Sequence, residues 1–160
     1  MAPPIAILCG TAASLVILLA SALNPASDLA PAAWRVEAAG FDGPVSAHVT
    51  RVIDGDTFEA AAIIWLGEAI NVRVRIEGID APELHARCPQ ELTRAQAARD
   101  YLARRIEGGD VRLKQVHYDK YGGRVDATVE DEKGDIGAAM VRANLARPYD
   151  GGHRGGWCDA

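Results

Sequence analysis

The chain lacks a surplus of positive charge. Its 160 residues carry 17 Lys and Arg against 22 Asp and Glu, a net charge of −5. Bulk electrostatics therefore does not draw it to a polyanion, and any such partner must be held by a local site. Lysine is scarce, at 3 against 14 arginines, a bias to which we attach no functional weight. Cysteine is sparse too: Cys9, Cys88 and Cys158, with no CxxC pair and no histidine at ligand spacing, which argues against a thiolate metal site. Charge is missing altogether from residues 1–27. What is present, 49% hydrophobic and 24% charged residues, excludes a disordered tail, a collagen and a coiled coil. The length suits one domain, two at most.

Within the uncharged stretch, Ile5 to Leu23 is a nearly unbroken apolar run of 19 residues. As a helix it would span roughly 28 Å, close to one bilayer core. Three readings stay open for residues 1–23: a signal peptide cleaved after Ala20-Ser21-Ala22, an uncleaved membrane anchor, or a misassigned start codon. Residues 24–43 are rich in Ala and Pro and read as a linker. Residues 44–160 form the globular part. Export makes a Cys88–Cys158 disulfide the simplest use of the two remaining cysteines, with two unrelated thiols as the alternative.

The periodicity predicts strands first and helices later. Val45–Val52 alternates, Asp54-Gly55-Asp56 turns, and Thr57–Ala60 resumes a strand. Ile63–Ala69 reads as a hairpin around Gly67, and Val72–Ile76 alternates again. Gln90–Ile106 switches to a helical period, with Leu92, Ala95, Leu102 and Ile106 on one face, Pro89 in its first turn and Gly108-Gly109 closing it. Val111–Val116 and Val125–Val129 add two strands, and Ile136, Met140, Val141 and Leu145 mark a second helix. The fold class is mainly β with α (α+β): a five-stranded OB-fold-type β-barrel with two or three packed helices. Trp65 and Trp157 are expected as packing groups, His85 at the surface, and Glu130-Asp131-Glu132 at a solvated hairpin tip.

Three clusters offer chemistry. In Asp54-Gly55-Asp56 two carboxylates flank a turn, an arrangement that favours a hard divalent cation with oxygen ligands, although Asp-Gly is also an ordinary turn. Arg73 to Glu83 sets strand arginines before an Asp80-Ala81-Pro82-Glu83 corner stiffened by proline. Tyr118 to Arg124 presents an arginine from a glycine loop, the geometry of a two-point phosphate clamp.

In this order and at these intervals, Val52-Ile53-Asp54-Gly55-Asp56-Thr57, then Val74-Arg75-Ile76 leading to Asp80-Ala81-Pro82-Glu83, then Asp119-Lys120-Tyr121-Gly122 and a following arginine resemble the thermonuclease (staphylococcal-nuclease-like) family. The resemblance covers about Ala47 to Tyr149. It implies a five-stranded OB-type barrel and a metal-dependent phosphodiesterase acting on DNA and RNA, with Ca²⁺ as the expected ion and Mg²⁺ as the second choice. By position, Asp56 and Asp80 would bind the metal and Asp54 would shape its pocket. Glu83 would activate the attacking water, and Arg75 and Arg124 would hold the scissile phosphate. Lys120 and Tyr121 would contact a terminal phosphate, and Tyr149 would stack on a base of a single-stranded DNA or RNA substrate. An extra glycine, Gly123, shifts Arg124 by one position from the family's usual spacing. The expected protein is an exported, extracytoplasmic monomer, secreted, periplasmic or tethered to a membrane through residues 5–23. The alternative is a non-catalytic OB-fold module that binds nucleic acid or protein.

Overall fold

The computed structural model describes residues 40–119 and 123–158. The expectations for residues 1–23, for most of the linker, and for Lys120 and Tyr121 lie outside the described residues. Ten elements follow in chain order: β1 (Val45–Val52), β2 (Thr57–Trp65), β3 (Glu68–Ile76), β4 (Ile79–Asp80), α1 (Pro89–Ile106), β5 (Asp110–Tyr118), β6 (Val125–Asp131), β7 (Gly134–Asp135), α2 (Ile136–Arg142) and β8 (Arg147–Pro148).

The expected barrel is there. Strands run in the order β3-β2-β1-β5-β6, each neighbour antiparallel, and a parallel pairing of β3 with β6 (Val74 with Val125, Ile76 with Ala127) closes the sheet on itself. Two helices accompany it among the described residues. Alternation explains the lining. Ala47 and Val49 of β1, Phe58, Ala60 and Ala62 of β2, Val74 and Ile76 of β3, Val111 and Leu113 of β5, and Ala127 and Val129 of β6 are all buried. A register shift between Val49 and Arg51 turns Val52, rather than Arg51, toward the core.

Helix α1 starts where the sequence places Pro89. Cys88 caps it, its Sγ accepting the Glu91 N–H at 3.4 Å. Ala95, Ala98, Leu102 and Ile106 form the buried face, but Leu92 is exposed and Glu91 is buried in its place. The reason is the cap: the Glu91 carboxylate accepts the Arg87 N–H at 2.8 Å and must stay at the helix start. Helix α2 is capped by Asp135 and ends at Arg142, not Leu145, because Asn144 adopts a left-handed φ of 56°.

Three details differ from expectation. The short pair β4–β8 (Ile79 with Pro148, Asp80 with Arg147) has no strand period to announce it. Trp65 is not a packing group: it sits 72% exposed at the tip of the β2–β3 hairpin, beyond the barrel's edge. Glu130 and Asp131 are not simply solvated. Lys114 and Arg112 pair with Glu130, and Arg105 of α1 grips Asp131 with a fork of 2.6 and 2.8 Å.

Cys88 and Cys158 are joined, with Cα atoms 5.9 Å apart, so the C-terminal segment is fastened to the start of α1. The core, the strand pairings and this disulfide all lie within Phe41–Cys158. The bridge spans 70 residues, for which the chain-entropy account gives about 4 kcal/mol of stability. Cys158→Ser should therefore lower the melting temperature by many degrees, and reductant should do the same to the parent chain but not to the variant. Thermal unfolding with and without reductant reads both.

Candidate active site

The site begins at the turn between β1 and β2. Thr57 C=O accepts the N–H groups of Ile53 and Asp54 at 2.9 and 3.2 Å, which closes the turn. Gly55 is at its centre. A Cβ there would lie 2.7 Å from the Cβ of Ala98 in α1 and 2.8 Å from that of Ala81. Three small residues thus let the acidic turn, α1 and the Asp80–Glu83 corner approach one another closely.

Asp56 is buried, 6% exposed. Its Oδ1 accepts the Thr57 hydroxyl at 2.8 Å. Its Oδ2 accepts from the Arg75 guanidinium and from the Ala81 N–H, both at 3.4 Å. Arg75 is equally buried and also donates to the Ile79 C=O at 3.0 Å. Cross-strand register makes this pair: Thr57 on β2 lies opposite Arg75 on β3. Asp54 accepts the Asp56 N–H at 3.3 Å. Burial, then the neighbouring charge of Asp56, and less so that of Glu83, push its pKa up to about 7.

Asp80 is 2% exposed and held by cations. Arg147 donates to its Oδ2 from Nε at 2.9 Å and from Nη2 at 2.8 Å, and Arg154 lies 3.4 Å from its Oδ1. Arg154 also reaches Glu83, Nη1 to Oε1 at 2.9 Å. Two aromatic rings support these guanidinium groups. Arg147 lies over Trp157 at 4.4 Å, and Arg154 and Arg75 lie over Tyr149 at 5.3 and 5.6 Å.

Arg75, Arg124 and Tyr149 line one cleft of about 490 Å³, bordered also by Glu77, His117 and Arg154. Arg124 is ion-paired with buried Asp119, whose N–H bonds back to the Arg124 C=O at 3.2 Å. Gly123 takes up the extra position with a left-handed φ of 74°. Asp80, Glu83 and exposed His85 face an adjoining recess of about 310 Å³, and Arg154 borders both spaces. The fold thus gathers Asp54, Asp56, Arg75, Asp80, Glu83, Arg124 and Tyr149 into one region.

Sequence reasoning missed Arg147 and Arg154. A signal was available: buried Asp80 needs a counter-charge. Arg147 lies two residues before Tyr149, but only the β4–β8 pairing reveals that it stands beside Asp80.

The donors offered by Asp54, Asp56 and Asp80 are oxygens alone, and Asp54 and Asp56 are close neighbours in a turn. That chemistry fits a hard divalent cation such as Ca²⁺ or Mg²⁺. In this structure, Arg147 and Arg154 supply the positive charge at Asp80. Among the described residues the one trio with ligand atoms within 4.8 Å of one another is Cys88, Glu91 and Cys158, and its two sulfurs are joined to each other.

Residues 73–154 match the family model of staphylococcal nuclease homologues. A curated relative, described as a probable endonuclease of Schizosaccharomyces pombe, is 31% identical over 128 residues. The match covers 65% of this chain and 55% of the relative, so the chain spans about half the length of that protein.

Two outcomes follow from this geometry. Gly55→Ala forces a methyl between Ala81 and Ala98 and should cost about 1–3 kcal/mol in chemical denaturation. Asp54→Asn should stabilise the metal-free protein. With its pKa raised in the fold, Asp54 keeps a proton that the unfolded chain has lost between about pH 4 and 7, so stability falls as pH rises through that window. The gain from Asn should be small at pH 4 and reach on the order of 2 kcal/mol, discounted for partial exposure, above pH 7. Melting curves across pH check it, and a gain that ignores pH would refute the charge assignment.

Proposed function

The chain belongs to the staphylococcal nuclease homologue family, and from that premise we propose that it is an exported, divalent-metal-dependent phosphodiesterase that hydrolyses single-stranded DNA or RNA. The observation that carries the reading is the cleft shared by Arg75 and Arg124, with Tyr149 on its wall and the Asp56, Asp80 and Glu83 carboxylates beside it. Attack on a phosphodiester builds negative charge on the phosphoryl oxygens. Arg75 is positioned for that charge by Asp56 and the Ile79 carbonyl, and so is pre-organised before substrate arrives. Arg124 is held by Asp119 and supplies a second fork from the opposite loop. Tyr149 offers a ring for base stacking, and its hydroxyl is tied down by donating to the Gly152 carbonyl at 2.8 Å.

Asp56 and Asp80, with Asp54 beside them, would hold Ca²⁺, or Mg²⁺ as second choice. When bound, the ion supplies charge neutralisation at the phosphate. Glu83 is the general base. It is exposed, it stands at the recess, and its partner Arg154 is itself an exposed group that an incoming phosphate can draw away. Arg154 thereby acts as a placeholder that keeps Glu83 aimed until substrate binds.

The ion pairs Arg147–Asp80 and Arg154–Glu83 favour a second reading, a non-catalytic OB-fold binding module, because they occupy the groups that hydrolysis needs. One experiment separates the two. Hydrolysis of a single-stranded oligonucleotide by the chain and by Glu83→Gln is followed with Ca²⁺, with Mg²⁺ and with chelator. The nuclease reading expects cleavage that chelator abolishes and that Glu83→Gln slows by about 10²–10⁴-fold. Oligonucleotide binding without cleavage under either metal supports the module.

A further inference from the structure

The β2–β3 hairpin runs past the barrel that it helps to build. Every residue from Ile63 to Asn71 is exposed. Among them Ile63, Ile64, Trp65, Leu66 and Ile70 are 56%, 55%, 72%, 90% and 46% exposed. Among the described residues the other large exposed apolar side chains, Phe41, Leu92 and Tyr118, are far from one another in sequence. Between Ala60 and Val72, Glu68 is the one charged residue. A contiguous apolar tip of this kind marks a surface that something covers.

Its shape says what. Pairing puts Ile70 opposite buried Ala62 on one face of the ribbon and Ile63 opposite Ala69 on the other. A register shift follows before Trp65, and Leu66 lies in the turn, so apolar side chains stand on both faces and at the tip. A flat protein surface would cover one face and leave the other in water, whereas a fluid apolar phase covers both. Tryptophan is among the side chains enriched where hydrocarbon meets headgroups. The same chain carries the apolar run Ile5–Leu23, as long as a bilayer core is thick. We propose that the tip of the β2–β3 hairpin inserts into the headgroup–acyl boundary of a lipid bilayer. From Ala62, the last buried residue of β2, to Leu66 is four residues, roughly 13 Å at about 3.3 Å each. That reach suits the ~5–10 Å depth of interfacial elements. Glu68, paired across the ribbon with Trp65, keeps its carboxylate with the headgroups, so Leu66 and the Trp65 ring reach the acyl boundary while Ile63, Ile64 and Ile70 stand at headgroup level. The tip has no Lys or Arg, so zwitterionic lipid suffices. This inference is independent of hydrolytic activity.

The test uses the chain from Asp28 onward, which keeps all of Phe41–Cys158, once a cooperative thermal unfolding transition shows that it folds. An N-terminal histidine tag recruits it to phosphatidylcholine vesicles doped with a nickel-chelating lipid. Trp34→Phe and Trp157→Phe leave Trp65 as the only indole, and Trp157→Phe keeps an aromatic face for Arg147. Circular dichroism checks the fold. Trp65 emission should move to shorter wavelength on vesicles, and lipids spin-labelled near the headgroup should quench it severalfold more than lipids labelled near the chain end. Leu66→Asp, at a position 90% exposed, should abolish both effects and lower tag-free partitioning by about tenfold or more. A tethered Trp65 that still emits as in water, unquenched, overturns the proposal. So does a Trp65 already shielded in vesicle-free buffer by a concentration-dependent dimer, because a second copy of the chain would then be the cover.

Discussion

A buried carboxylate has to be answered by a buried cation, and the rest of this site is arranged around one such answer, Asp56 to Arg75. Stripping both groups of water is costly unless every remaining lone pair and proton finds a partner. Here Thr57 and Ala81 donate to Asp56, and the Ile79 carbonyl accepts from the same Arg75 nitrogen that meets Asp56, which leaves the rest of the guanidinium for the cleft. Two of those partners belong to the segment after β3. The pair therefore does more than fix its own strands. It pins the backbone on either side of Asp80 and so sets where Asp80 and Glu83 emerge. The small residues Gly55, Ala81 and Ala98 are the steric side of the same constraint, since a larger group at any of them would pull the acidic turn away from the corner.

The net negative charge and the proposed polyanionic substrate are reconciled by distribution. Arg75, Arg124, Arg147 and Arg154 all stand at the cleft and its recess. Elsewhere several acidic groups are neutralised locally. Arg51 and Arg73 hold Glu59, Lys114 and Arg112 hold Glu130, and Arg105 holds Asp131, each carboxylate kept below its ordinary range by those partners. Long-range steering of a nucleic acid is weak under such a distribution. Short-range capture by arginine forks is strong, and it resists salt better than a diffuse field does.

Much of the fold was legible because its signals are local. Period-two runs gave five barrel strands, Pro89 and Gly108 bracketed α1, and the order of the acidic turn, the Asp80–Glu83 corner and the Arg124 loop pointed to one gathered region. What escaped notice depends on contacts distant in sequence. The β4–β8 pairing is two residues long on each side and has no period to read, yet it delivers Arg147 to Asp80 across a separation of 67 residues. Glu91 displaced Leu92 from the helix face because a capping bond outweighed an apolar side chain. Trp65 looked like core because bulky aromatics usually are, and no local pattern tells a hairpin that ends at the barrel rim from one that overshoots it.

The Cys88–Cys158 bond also bears on durability. Between those two residues lie α1, the strands β5 and β6, the Arg124 loop and the arginines that flank Tyr149. A protease that cuts any exposed loop within that span severs the backbone but does not make two molecules, because both pieces remain covalently joined through sulfur. The halves of a nicked chain stay at the effective concentration of one chain and can keep their packing. For a protein whose proposed place is outside the cell among other hydrolases, a single cut there need not mean loss.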